Sequence, residues 1–173
     1  VIVLKNNKTM SIKGIDGLIS DKPSILGIRT ADCLPIFFYN PKMKIIAAIH
    51  AGWKGLYKGI IKNTVKSMKK LGSYAQTVVV IGPHIKSCCY NVDYKRIEDF
   101  KEKCKFQVDI SEFHDGKHYL DLGKVAFLQL VNMGISPSNI DVFNNCTSCE
   151  SRFWSFRRDK QIAKRMINFI GLH

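Results

Sequence analysis

Short apolar runs broken by polar turns make up most of this chain. Runs rich in Ile, Val, Leu and Phe at residues 1–5, 25–29, 34–39, 44–49 and 77–81 read as β-strands. Two more strands are expected at 139–143 and 153–157. The run Lys44-Ile-Ile-Ala-Ala-Ile49 has no polar position after its first residue, which predicts a strand buried on both faces. Helical spacing follows it. Leu56, Ile60, Ile61, Val65 and Met68 would share one face with lysines between them, and Gly72 sits where a C-cap is needed. Asp121 is placed to cap a buried helix over 122–133, which Gly134 closes. Residues 93–104 read as a helix, 107–118 as irregular chain, and 161–170 as a closing helix. Strands and helices mix without strict βαβ alternation. The expected fold is therefore α+β, a layered mixed β-sheet with flanking helices. No repeat or linker divides the chain, so residues 1–173 are expected to form a single domain.

Composition adds limits. A chain of 173 residues, 46% hydrophobic, can bury a real core. No apolar run approaches the roughly 18 residues that a membrane helix needs, and the N-terminus lacks the pattern of an export signal. A cytoplasmic enzyme is the expectation. The chain opens on Val1 inside an apparent strand, so native sequence is expected upstream. The net charge of +13 draws anions to the surface, nucleic acid or phosphate among them. Lys62, Lys66, Lys69 and Lys70 lie along one helix as a solvated face would, and no motif interleaves aromatics with basic residues. That argues against a nucleic-acid partner. Six cysteines without an export signal read as reduced thiols.

The candidate chemistry lies at strand ends. Cys33 and His50 each follow or interrupt a strand, and a thiolate with an imidazole suits zinc. Asp16 and Asp32 are candidate partners that would orient the imidazole or a bound water. A pair is too few for a catalytic zinc, which takes three protein ligands plus water. From spacing alone, a buried cysteine and a turn histidine are the commoner reading. Gly52 and Gly55 mark a tight turn beside His50. Cys88-Cys89 and Cys146-x-x-Cys149 could together offer four thiolates, although adjacent cysteines rarely serve one ion well. A redox pair at Cys146 would need a helix after it, where loop and strand are expected.

Several motifs occur in a fixed order: Thr30-Ala-Asp-Cys-Leu-Pro35, His50-Ala-Gly-Trp-Lys-Gly55, Gly82-Pro-His-Ile-Lys-Ser-Cys-Cys-Tyr90, Cys146-Thr147, and Phe153-Trp-Ser-Phe-Arg-Arg-Asp159. In these the chain resembles the laccase-domain, or YfiH-like, family of purine nucleoside phosphorylases, once called multicopper polyphenol oxidases. The likeness runs from about Asp16 to Arg165. It implies a fold related to the catalytic fold of cytotoxic necrotizing factor. It also implies zinc held by Cys33 and His50, with a third histidine ligand expected upstream of Val1. The implied activity is phosphorolysis of adenosine, inosine and S-methyl-5′-thioadenosine, with adenosine deamination beside it. Zinc lowers the pKa of a bound water to about 7, which suits attack on a purine carbon. Arg157 and Arg158 could grip inorganic phosphate as a fork, and Trp53 could stack on the base. Where the family often has Gly-x-Thr-Gly-Arg after Arg158-Asp159, this chain has Lys160-Gln-Ile-Ala-Lys. His84 stands where the family usually has a small residue.

Two other readings compete. Cys33 and His50 could form a metal-free nucleophile and base, as in a cysteine hydrolase. The charge alone could serve a non-catalytic polyanion-binding protein. Copper oxidation finds little support, because a multicopper site needs many histidines and the chain has five.

Overall fold

The computed structural model describes residues 1–4, 13–72 and 76–173. In chain order the elements are β1 (Ile2–Val3), β2 (Gly17–Ser20), β3 (Ser24–Thr30), β4 (Leu34–Asn40) and β5 (Ile45–Ala51). Two helices follow, α1 (Trp53–Tyr57) and α2 (Ile60–Leu71), then β6 (Val78–Ile81), β7 (Asn91–Val92) and α3 (Tyr94–Cys104). The chain ends with β8 (Ser111–His114), β9 (Lys117–Leu120), α4 (Leu122–Asn132), β10 (Ile140–Val142), α5 (Phe156–Asp159) and β11 (Met166–Leu172).

A six-stranded mixed sheet in the order β1-β2-β5-β4-β6-β10 forms the centre. It is antiparallel except at its two edges, where β1 runs parallel to β2 and β10 to β6. β5 lies inside it with both faces buried, as its unbroken apolar run predicts. Ile45, Ala47, Ile49 and Ala51 face one core together with Leu56, Ile61 and Val65 of α1 and α2 and Val125 and Leu130 of α4. Ile46 and Ala48 face the other way, onto Leu26 and Ile28 of β3. β3 and β11 pair as an antiparallel ribbon that covers this second face. The fold is thus three layers: ribbon, sheet and helices. It is α+β, as the sequence pattern implies.

Four local expectations change. The helix expected from Leu56 onward is two helices, because Gly59 takes φ +81° and breaks the run. Residues 107–118 contain the β8–β9 hairpin, turned by Asp115 (φ +49°) and Gly116 (φ +68°). Asp-Gly with both residues at positive φ is a favoured hairpin turn. The strand expected at 153–157 is replaced by α5, capped by Ser155, whose Oγ accepts from Arg158 N at 3.1 Å. The closing helix expected at 161–170 is the strand β11. Its apolar residues satisfy helical and strand spacing alike, and pairing with β3 along its whole length decides the outcome. Asp121 does cap α4, its Oδ1 accepting from Lys124 N at 2.8 Å. The strand expected at 1–5 is the short β1, and Lys5 lies outside the described residues.

Candidate active site

The register of the sheet brings the candidate residues together. β4 and β5 pair Leu34 with Ala51 and Pro35 with His50. One step further along the same ladder sets Cys33 against Gly52. A side chain at residue 33 is then the diagonal neighbour of residue 50 on the same face. A Cβ built on Gly52 would lie 3.0 Å from Cys33 Sγ, so the thiol occupies the space that glycine leaves open. Gly55 differs from expectation: it sits inside α1, and a Cβ there would meet only ordinary contacts. On the other side of β5, β2 pairs Gly17 with Ile49, so the residue before β2 reaches His50. His50 N donates to Asp16 O at 2.7 Å, and His50 Nδ1 lies 3.0 Å from Asp16 Oδ1.

His50 is therefore held from both neighbouring strands. Its pKa is pushed up to about 9, chiefly by its hydrogen bond with Cys33; burial opposes this and Asp16 adds to it. With Nδ1 on Asp16, Nε2 is the nitrogen left to share an ion with Cys33. A soft sulfur beside an imidazole whose far nitrogen rests on a carboxylate is the donor arrangement zinc sites use. These two residues fit zinc as part of a ligand set. His84, His114 and His118 do not line the cleft at this point.

That cleft has a volume of about 530 Å³. Besides Cys33 and His50 its walls include Trp53, Tyr90 and five cations: Arg29, Arg96, Arg157, Lys160 and Arg165. Arg96 lies 4.1 Å above the Trp53 ring, and Arg157 lies 5.0 Å from that of Tyr90. Arg157 also donates to Cys89 O and to Asn91 O and Oδ1, which anchors its guanidinium to the loop before α3. Arg158 does not join it. Its guanidinium is consumed by Thr147 O, Ser148 O, Glu150 O, Phe153 O and Asp159, so the expected Arg157–Arg158 fork does not form. A shallower hollow of about 440 Å³ shares Arg96 but is walled by β7, the start of α3 and the β8–β9 hairpin and contains neither Cys33 nor His50.

Asp32 has a different place from the one expected. It is buried, and its carboxylate accepts from Thr147 Oγ1 at 2.7 Å and from Arg157 N at 2.6 Å. Its carbonyl accepts from Ile85 N at 3.0 Å. It ties the β3–β4 turn to two other loops and to the first turn of α5 rather than orienting His50. Its φ of +83° turns the chain sharply just before Cys33. Lys160 is similarly unusual, with φ +53° and ψ −129°. That backbone favours glycine, the residue the family often has there, and it places a lysine in the cleft wall. Arg29, Tyr90, Arg96 and Arg165 were not singled out by sequence reasoning. The overall basic charge hinted at the three arginines, and Tyr90 stood only at the end of the Gly82–Tyr90 motif.

Comparison with known proteins matches the whole chain, residues 1–173, to the family described as multi-copper polyphenol oxidoreductase laccase. The chain belongs to that family. Among its relatives, a purine nucleoside phosphorylase of Clostridium acetobutylicum is 38% identical over 175 residues, covering 98% of this chain and 72% of the relative. An adenosine deaminase, RL5, from an unknown prokaryotic organism is 32% identical, covering 86% of this chain and 58% of the relative. The crystal structure of YlmD from Geobacillus stearothermophilus superposes with a TM-score of 0.85 at 35% identity, over 92% of this chain and 62% of that one. The laccase-domain chain described here thus spans about three fifths to seven tenths of the length of these relatives. No helix among its described residues is long and apolar enough to cross a membrane.

Proposed function

We propose that this laccase-domain chain forms the metal- and phosphate-binding part of a zinc-dependent purine nucleoside phosphorylase. It would act on adenosine, inosine and S-methyl-5′-thioadenosine, with adenosine deaminase activity beside phosphorolysis. The observation that carries the proposal is the meeting of Cys33 and His50 in a cleft lined by five cations. Names among the relatives, purine nucleoside phosphorylase and adenosine deaminase, point the same way.

In this reading Cys33 and His50 hold zinc, with a further histidine expected upstream of Val1. A bound zinc would supply Lewis acidity at this point of the cleft. Asp16 fixes the ring of His50 through Nδ1. Arg157, Arg96, Arg29, Lys160 and Arg165 draw inorganic phosphate in and offset its charge. In phosphorolysis a phosphate oxygen bonds to ribose C1′ as the bond to purine N9 breaks, and the departing base takes a proton. In deamination a water oxygen replaces the amino group at C6 and ammonia leaves. Trp53, with Arg96 on its ring, offers an aromatic surface for the base. Arg158 acts on the fold of the 147–153 loop rather than on phosphate.

The test is to incubate the protein with adenosine or inosine and inorganic phosphate, with and without a chelator, and to resolve the products. Free base with phosphorylated ribose, and inosine from adenosine, are expected; both should vanish with chelator and in Cys33→Ser. Absence of all these products from zinc-replete protein overturns the proposal. One observation also favours a second reading: the Cys33–His50 hydrogen bond would equally suit a metal-free cysteine hydrolase. Activity that survives complete zinc removal but not Cys33→Ser would select that reading.

A further inference from the structure

Away from Cys33 and His50, four sulfurs converge. Cys88 and Cys89 come from the turn before β7, and Cys146 and Cys149 from the loop after β10. Their Sγ atoms all lie within 4.8 Å of one another. Cys89 and Cys149 are 3.3 Å apart, Cys88 and Cys149 3.6 Å, and Cys88 and Cys89 3.9 Å. A zinc ion with four sulfurs at about 2.3 Å in a tetrahedron has sulfur–sulfur edges of about 3.8 Å. The three separations scatter around that edge, and a disulfide requires about 2.05 Å. No other group of three or more metal-ligating side chains converges in this way among the described residues.

Adjacent cysteines usually diverge, and here the backbone prevents it. Cys89 N and Tyr90 N both donate to Lys86 O at 3.0 Å, so the chain from Lys86 to Tyr90 is wound into a tight turn. Opposite it, Glu150 N donates to Cys146 O at 3.1 Å and closes the Cys146–Cys149 loop. The two loops are joined at their base, where Thr147 N donates to His84 O at 3.1 Å. Around the sulfurs are groups suited to thiolates. Lys86 N lies 3.5 Å from Cys146 Sγ as a donor. The half-buried Lys86 side chain interacts electrostatically with Asp121 first and then with Cys146 and Cys88. Four thiolates on a divalent ion leave a net charge of −2, and a cation held beside them offsets part of it.

The geometry points to a structural zinc site formed by Cys88, Cys89, Cys146 and Cys149, separate from the Cys33–His50 pair. Each thiol gives up its proton as it ligates the ion. The ion would clamp the loop that carries Tyr90 and the Cys89 carbonyl to the loop that carries Thr147. Cys89 O holds Arg157 and Thr147 holds Asp32, so the clamp would support the cleft wall from behind. This inference does not depend on the reaction proposed for the cleft.

The test is cobalt titration of reduced, metal-stripped Cys33→Ser protein under anaerobic conditions, followed by back-titration with zinc. That variant removes the cleft's thiol, so any sulfur ligation seen comes from elsewhere. Intense thiolate-to-cobalt charge transfer with tetrahedral visible bands is expected, saturating at one equivalent and bleached by one equivalent of zinc. The bands should be lost in a Cys146→Ser/Cys149→Ser variant. Should Cys33→Ser fail to fold, the wild-type protein is titrated instead, and the charge-transfer intensity separates four thiolates from one. Absent charge-transfer bands, an intensity matching a single thiolate, or bands that persist in the double variant overturn the proposal. So does a reduced preparation whose mass shows a bridge among these cysteines in place of metal.

Discussion

Cys33 and His50 meet because the β4–β5 register makes them diagonal neighbours on one face, and Gly52 leaves room for the sulfur. Gly52→Ala is therefore expected to push Cys33 Sγ aside and weaken zinc binding at least tenfold, with secondary structure retained. Competition against a chromophoric chelator would measure it, and unchanged affinity would remove the argument from close approach. Asp16→Asn should lower zinc affinity by about 10- to 100-fold, the usual effect of losing a carboxylate behind a ligating histidine. Lys160 is held in a backbone conformation that costs a non-glycine residue about 1 kcal/mol or more. Lys160→Gly should therefore stabilise the fold by about 1 kcal/mol in urea while raising the KM for phosphate, since a cleft cation is lost. His84 supplies a pH dependence. It is fully buried, donates from Nδ1 to Gly82 O at 2.8 Å, and has no partner at Nε2. Burial pushes its pKa down to about 4. The unfolded chain then binds a proton near pH 6.5 that the native one refuses. Stability is full above that pH and falls as pH drops toward 4, by roughly 3 kcal/mol. The urea midpoint should therefore fall less between pH 7 and pH 4.5 for His84→Asn than for the native protein. Cys33 and His50 stood out in the sequence because each lies at the end of or between expected strands, whereas Asp16 was only a candidate carboxylate, since β2 after it had no strand signal. His84's burial was not, since it depends on Gly123, whose missing Cβ leaves space for the ring.

At the scale of elements, Asp32 links parts of the chain that sequence separates widely. It reaches Ile85, Thr147 and Arg157 from one turn. Asp32→Ala removes the acceptor of both side-chain bonds and leaves Arg157 N unpaired, at a cost of about 2–3 kcal/mol. Thr147→Val removes one of the same bonds and should cost less. A double-mutant cycle in urea should show strong coupling between the two, and additive effects would mean that the bond adds nothing to stability. Apart from β2, which no apolar run announces, the strands of the central sheet were readable from their apolar runs, and the α4 cap from Asp121. The C-terminal strand was not, because Ile162, Met166 and Ile170 fit a helix face as well as alternate residues of β11 fit a strand face. Long-range pairing with β3 settled it. The β8–β9 hairpin had a local signal, Asp115-Gly116, but its flanking strands are largely exposed and carry little apolar pattern.

Over the whole molecule, three layers place the ends of β4, β5 and the loop before β2 at one edge of the sheet, and the loops around Tyr90 and Arg157 close over it. The basic excess seen in the sequence becomes local in the cleft, where Arg29 of β3, Arg96 of α3 and Arg157, Lys160 and Arg165 of the stretch from α5 to β11 gather. Their convergence was not readable, because Arg29, Arg96 and the stretch from Arg157 to Arg165 lie more than 60 residues apart in the chain. Phosphate binding should accordingly weaken with rising salt, and Arg157→Ala should raise the KM for phosphate by about tenfold or more. The central claim is that one ion joins the sulfur of residue 33 to the ring of residue 50. Anomalous diffraction at the zinc absorption edge, on crystals grown with zinc, tests it directly. A peak about 2.3 Å from Cys33 Sγ and about 2.0 Å from His50 Nε2 is the predicted result. Zinc-replete crystals with no peak between these two atoms would contradict it.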